Sequence, residues 1–191
     1  MRRDAARVFD EYLVAAARAG DRAAFDRLAA RWAPRLYRHA CRLLGDAEAA
    51  EDAAQEGWAD IARGLSRLED AALFPAWALR IVTRRCADGI RRGGRERRAW
   101  EALAREPESP DRGAHAIEAR ADGAPLVRAL AALPAEQRAT VALFYLEDLS
   151  VAEIAAALAV PAGTVKTRLM HARRKLRDAL EVCPEGGKYN D

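Results

Sequence analysis

The chain has 191 residues, room for one medium domain or two small ones; 51% are hydrophobic, but alanine dominates that fraction and aromatics make up only 6%, a composition that calls for an all-α protein. Net charge is only +3, yet residues 1–98 carry 20 basic against 15 acidic side chains, 99–125 carry 3 against 6, and 126–180 carry 8 against 5, the asymmetry of two nucleic-acid-facing modules joined by a segment of opposite sign. Cys41, Cys86 and Cys183 form no CxxC pair or Cys/His cluster, no apolar stretch approaches the roughly 20 residues of a bilayer span, and Met1-Arg2-Arg3-Asp4 has no apolar core behind it, so neither a zinc site, a disulfide framework, a membrane helix nor a signal peptide is expected.

Residues 8–98 read as consecutive helices. Phe25, Leu28, Trp32 and Leu36 recur at helical spacing, Leu43 and Leu44 close the run, and Gly45-Asp46 breaks it. A second helix spans about 47–65, with an apolar stripe of Ala47, Ala54, Trp58, Ile61 and Leu65. Glu48, Asp52, Gln55, Glu56 and Asp60 fall on its other side. After a loop at about 66–73, Phe74-Pro75 opens another helix, with proline tolerated in a first turn. Phe74, Trp77, Ala78 and Ile81 make its core face, and their spacing favours packing over stacking on bases. Arg80, Arg84, Arg91 and Arg95 form a basic stripe until Gly93-Gly94 weakens the helix.

Residues 99–125 change character. Glu106-Pro107-Glu108-Ser109-Pro110-Asp111, Gly113 and Gly123-Ala124-Pro125 break any regular helix. A flexible acidic linker is expected there, with a helical remnant around 115–121. Helical periodicity returns at 126–180, and residues 182–191 are expected to form a disordered tail.

The most specific local signal lies within 150–180. Ser150 and Glu153 form a capping box. Ile154, Ala155 and Leu158 are the buried side of a short helix that stops at Ala159-Val160-Pro161, with Val160 as a plug. Pro161, Gly163 and Thr164 start a second helix, with Thr164 as a cap. Val165, Leu169, Ala172, Leu176 and Leu180 line one of its faces, and a basic set lies opposite. Two short helices, a tight turn and a basic second helix suit docking in a DNA major groove. Early residues of that helix would meet base edges and later ones phosphates.

These residues carry a resemblance. Leu133-Pro134, Val141-Ala142-Leu143-Phe144-Tyr145, Ser150 with Glu153-Ile154-Ala155, and Pro161 with Gly163-Thr164-Val165-Lys166-Thr167-Arg168-Leu169 resemble region 4 of bacterial sigma factors of the extracytoplasmic-function group. The N-terminal half resembles region 2 of the same group through Gly20-Asp21, Ala24-Phe25, Leu28, Leu36-Tyr37-Arg38, Gly45-Asp46, Ala50-Glu51-Asp52, Gln55-Glu56, Phe74, Trp77, Leu79 and Ile81. The two blocks cover about 150 residues in the right order.

The resemblance implies a chain that binds core RNA polymerase, recognises promoters and opens them. Region 2 would span 8–98, a linker 99–125 and region 4 126–181. Glu48, Glu51, Asp52, Gln55 and Glu56 would face the β′ clamp helices, and region 4 the β flap. Residues 68–73 match the loop that holds a base flipped from the −10 element, so Leu68, Glu69 and Asp70 are candidate −10 contacts, with Arg80, Arg84, Arg85, Arg91 and Arg92 gripping phosphates. The −35 element would meet Thr164, Lys166, Thr167, Arg168, Met170, His171, Arg173 and Arg174. The family commonly has Asn at Arg84 and often Arg at His171, so promoter preference is not transferred at these two positions. The linker would thread towards the polymerase active-site and RNA-exit channels. An anti-sigma partner is also implied, and the scattered, unpaired cysteines fit a reducing cytoplasm. No cofactor, metal or enzymatic activity is expected: His39, His115 and His171 share no evident site, and there is no phosphate-binding glycine loop. The competing expectations are a stand-alone helix-turn-helix regulator and an enzyme with an appended DNA-binding domain.

Overall fold

The computed structural model describes residues 2–103 and 124–181, and the side chains of 5–93 and 125–181. The linker from 104, its expected helical remnant, the tail with Cys183, and the side chain of Arg95 lie outside the described residues. Every described element is helical: α1 (Arg2–Arg18), α2 (Arg22–Leu44), α3 (Ala47–Gly64), 3-10 turns at Leu65–Arg67 and Ala71–Leu73, α4 (Phe74–Leu103), α5 (Ala124–Ala131), α6 (Ala135–Val141) running into a π turn at Ala142–Leu146, α7 (Val151–Leu158) and α8 (Ala162–Glu181). The chain divides into two compact units, one on α1–α4, the other on α5, α6, α8 and most of α7.

Short polar punctuation sets the helix ends of the first unit. The Asp21 carboxylate accepts from Ala24 N at 3.0 Å and that of Asp46 from Ala49 N at 2.8 Å, each satisfying a donor that the new helix leaves open. Gly45 ends α2 at φ 71, a left-handed conformation glycine adopts without a Cβ penalty. The core gathers Leu13 and Val14 of α1, Leu28, Trp32 and Leu36 of α2, Ile61 of α3, and Phe74, Leu79 and Val82 of α4, all at most 2% exposed. Trp32 meets Phe74 edge-on with centroids 5.1 Å apart.

Two features depart from the sequence reading. The buried stripe of α3 is Ala50, Ala53, Gly57 and Ile61, while Ala47 is exposed and Ala54 and Trp58 are half-buried. Hydropathy points to the tryptophan, but packing selects the glycine: a Cβ on Gly57 would stand 2.8 Å from Val82 Cγ2, so the α4 side chain fills the space that a Cβ on α3 would need. Secondly, α4 passes through Gly93-Gly94 to Leu103. Each glycine costs a helix roughly 1 kcal/mol relative to alanine, and the Arg, Glu and Ala residues around the pair are strong helix formers.

His39 is fully buried, its Nε2 2.9 Å from Thr83 Oγ1 across the α2–α4 seam. Burial, with Arg42 and Arg35 adding like charge, pushes its pKa down to about 3. The folded state therefore binds fewer protons than the unfolded one between that value and the ordinary histidine pKa near 6.5. Stability should be unaffected by His39 above pH 6.5 and fall by up to about 1.4 kcal/mol per unit as pH drops below it. All four tryptophans lie at 32, 58, 77 and 100, so urea melts followed by tryptophan fluorescence read this unit. A slope between pH 6.5 and 5 that persists unchanged in His39→Gln would remove the assignment.

In the second unit the Ser150–Glu153 capping box is closed in both directions, Ser150 N to Glu153 Oε2 at 2.8 Å and Glu153 N to Ser150 Oγ at 3.2 Å. Thr164 is not the cap of α8. Its own N–H donates to the Pro161 carbonyl at 2.9 Å, and Val165 N does so at 3.2 Å, so the helix starts earlier and Thr164 lies in its first turn. Ala159 takes φ 54 in the turn, a left-handed geometry that costs a residue with a Cβ roughly 1–2 kcal/mol. Val165, Leu169 and Ala172 are buried with Ile154, Leu143 and Leu149, whereas Leu180 is 39% exposed and lies beyond the packed part of α8.

Candidate polymerase-binding and nucleic-acid interfaces

From Ala47 to Ala62, α3 contains five carboxylates and no basic residue. Glu48, Glu51, Asp52, Gln55 and Glu56 are all exposed. Glu51 accepts from Gln55 Nε2 at 3.1 Å, a turn-to-turn bond that holds both side chains along the helix. These two residues border an apolar groove of about 590 Å³ between α2 and α3, with Ala33, Pro34, Tyr37, Ala54 and Trp58 in its walls. Sequence reasoning took Trp58 for core, passed over Pro34, and gave Tyr37 no place in a groove. The signal was a proline inside an otherwise regular helix.

Arg85 sits apart from the other α4 arginines. Its Nε donates to Asp60 Oδ2 at 2.6 Å and its Nη1 to Glu56 Oε2 at 3.0 Å, so it ties α4 to α3 on the acidic side. Loss of solvent raises the Asp60 carboxyl pKa, but hydrogen bonds from Arg63 and Arg85 outweigh this and hold it below the ordinary carboxylate value. Glu56, grouped with the polymerase-facing set, already has Arg85 as a partner. Arg80 and Arg84 remain exposed one turn apart, Arg91 is paired with Asp88, and Arg92 is exposed.

Residues 65–73 form two 3-10 turns with a short extended stretch between them. Leu68 is 8% exposed and packs inward, leaving Glu69 and Asp70 as the accessible part. A second pocket, of about 510 Å³, opens here among Gly64, Arg67, Leu68, Glu69, Asp70, Leu73 and Trp77. Phe74 is fully buried, as its spacing implied, but Trp77 is half-exposed and forms a pocket wall. A Cβ on Gly64 would come within 2.9 Å of the Trp77 ring, so the indole lies directly against the backbone there.

In α8 the expected −35 set separates by face. Lys166, Thr167, Met170, Arg173 and Arg174 are exposed, with Met170 59% so. Thr167 Oγ1 donates to the Gly163 carbonyl at 3.0 Å. Thr164 and His171 are half-buried at the edge. Arg168 lies on the opposite side, paired with Glu136 of α6 and only 20% exposed. Arg173 Nε donates to Tyr145 Oη at 2.6 Å, with its guanidinium over the Phe144 and Tyr145 rings at 5.8 and 5.6 Å. A guanidinium so held is orientated before any ligand arrives.

Two family descriptions match the two units: sigma-70 region 2 over residues 28–96, and sigma-70 region 4 over 124–176. The ECF RNA polymerase sigma factor SigM of Mycobacterium tuberculosis is 37% identical over 179 residues, covering 93% of this chain and 87% of its own. The chain belongs to the extracytoplasmic-function group of the sigma-70 family. It is thus an alternative sigma factor, a transcription-initiation protein. The ECF RNA polymerase sigma factor SigE of Mycolicibacterium smegmatis is 38% identical over 169 residues, 84% of this chain; the chain spans 64% of that relative's length. Two solved structures share the fold: the sigma factor RpoE in complex with the anti-sigma factor NepR from Bartonella quintana (TM-score 0.68, 24% identity, 83% of this chain and 98% of that one), and CnrH in complex with the cytosolic domain of CnrY (TM-score 0.69, 23% identity, 92% and 99%).

For a sigma factor, the two matched segments carry the surfaces described above. Region 2 contains the acidic α3, the groove beside it, and the pocket at 64–77. Region 4 contains α7, α8 and the aromatic pair that holds Arg173. No helix among the described residues is long and apolar enough to cross a membrane.

Proposed function

We propose that this sigma factor binds core RNA polymerase through the exposed face of α3, reads the −10 element with the loop at 68–73 and the α4 arginines, and reads the −35 element with α8. The carrying observation is that one unit bears an acidic helix face beside an apolar groove while the other bears an exposed basic recognition helix. Carboxylates at the rim favour orientation and rapid encounter, and the apolar groove supplies area to desolvate. The units on α1–α4 and on α5–α8 act as the two promoter-binding modules, with the segment between α4 and α5 as their tether. The polymerase performs the chemistry and the sigma factor supplies recognition and strand opening in the cytoplasm. An anti-sigma factor covering α3 and α8 would hold it inactive; one fold relative, RpoE, was solved in complex with the anti-sigma factor NepR.

In the DNA contacts, Arg85 and Arg168 serve packing through Asp60 and Glu136. Arg80, Arg84, Arg91 and Arg92 remain for phosphates at the −10 element, and Lys166, Thr167, Met170, Arg173 and Arg174 carry the −35 contact, with Thr164 and His171 at its edge. Arg174→Ala should weaken −35 binding for all sequences alike and lower the salt slope, log K against log salt, by about 1. Lys166→Ala, in the first turns of α8, should instead change which −35 sequences are preferred, by about 1–3 kcal/mol at the contacted base. Fluorescence-anisotropy titrations across salt and sequence separate the two. In vitro transcription with core polymerase on genomic templates tests the whole reading: start sites sharing two upstream elements are expected, and absence of promoter-directed initiation would reject it.

A further inference from the structure

We propose that Arg18, at the end of α1, is a positioning residue for −10 base recognition: it fixes the loop that walls the pocket at 64–77. This rests on the reading of that loop as the −10 contact. Helix α1 packs against both 3-10 turns. Its last residue reaches across: Arg18 Nη1 donates to the Glu69 carbonyl at 3.0 Å, over a separation of 51 residues.

The stretch that Arg18 grips has little helical bonding of its own. Leu68 (φ −73, ψ 105) and Asp70 (φ −110, ψ 114) are extended between the two turns. Local bonds anchor both ends: Leu68 N donates to the Leu65 carbonyl at 3.1 Å, and Asp70 Oδ1 accepts from Ala72 N at 2.9 Å. Arg18 holds the middle from a different helix. Fixing the Glu69 carbonyl fixes its peptide plane, and with it the directions in which Glu69 and Asp70 leave the backbone beside the pocket. A charged donor on a carbonyl is stronger than a neutral one. Because the bond is exposed, its effect falls on orientation more than on folding stability. A pocket that must offset the unstacking of a flipped base gains from walls set beforehand.

An arginine that merely touched phosphate would behave differently, since phosphate contacts carry no sequence information. The test uses full-length sigma factor in holoenzyme and fork-junction DNA from a mapped promoter, with each of the four bases in turn at the captured non-template position. Arg18→Ala is expected to reduce the ratio of affinities between preferred and disfavoured bases about five-fold, the factor carried by one hydrogen bond of ordinary net strength. Affinity for core polymerase and for −35 duplex should stay unchanged. Arg18→Lys, which can still donate to the carbonyl, should recover most of the ratio. Equal weakening for all four bases, an unchanged ratio in Arg18→Ala, or no recovery with lysine would overturn the proposal. A Leu73→Ala variant separates its failure from that of the pocket. If Leu73→Ala loses discrimination and Arg18→Ala keeps it, Arg18 alone is dismissed. If both keep it, the pocket reading falls and the proposal with it.

Discussion

Trp32→Ala should lower the stability of the N-terminal unit by about 3–5 kcal/mol, the range for removing a buried aromatic from a packed core. Trp32 is 2% exposed, with its ring edge-on to Phe74 at 5.1 Å and the Arg35 guanidinium 4.5 Å above it. Its removal opens a hole where α2 meets α4, between helices whose other contacts are already close. Domains of this size are stable by roughly 5–15 kcal/mol, so the loss is a large share of the total. A calorimetric scan of the full chain should show the transition of this unit moving down by on the order of 15–30 °C, while the transition of the region 4 unit stays in place. A change below about 1 kcal/mol would mean that the cavity collapses around the missing ring and that Phe74 carries the core alone.

Asp52→Arg should weaken binding to core polymerase at least about ten-fold, because a like charge placed against a complementary surface costs several kcal/mol. Asp52 is exposed in the middle of a helix with no basic side chain from Ala47 to Ala62, and Glu51 and Gln55 beside it border the apolar groove. The substitution touches no core residue, so helix content should be unchanged by circular dichroism. Asp52→Asn should have a smaller effect, since it removes charge without reversing it. Titration of labelled sigma factor with core polymerase at two salt concentrations reads both, and full affinity for Asp52→Arg would remove α3 as the docking surface. Glu56 offers a contrast. It already pairs with Arg85, so Glu56→Gln should disturb the α3–α4 contact more than the docking.

Much of this molecule is legible in local chemistry. The boundaries at Asp21, Asp46 and Ser150 follow from side chains that bond backbone within a few residues of themselves, and that at Gly45 from a left-handed backbone whose N–H bonds the Cys41 carbonyl; such bonds need no knowledge of the fold. The same holds for the periodicity of Leu28, Trp32 and Leu36, and for the acidic and basic faces of α3 and α8. Harder to read was α3, because its apolar residues are mostly alanines. An alanine-rich helix has no steep hydrophobic gradient, so its inward face is settled by where a neighbour can pack tightly, and Gly57 against Val82 is one such place.

Charge shows the same division. In the sequence, Arg85 and Arg168 belong to basic helices and look like their neighbours. Folding turns one towards Asp60 and Glu56 and the other towards Glu136, partners 25, 29 and 32 residues away. It likewise brings Arg18 to the Glu69 carbonyl and opens a groove between Pro34 and Trp58. The sequence by itself determined that this protein is all-helical, the helix ends at Gly45-Asp46, Phe74 and Ser150, and that it carries an acidic helix in one unit and a basic helix in the other. Only the tertiary structure decided which arginines face solvent and which face carboxylates, because capping and periodicity act within a turn or two of helix, whereas ion pairs and clefts depend on residues brought together from different helices.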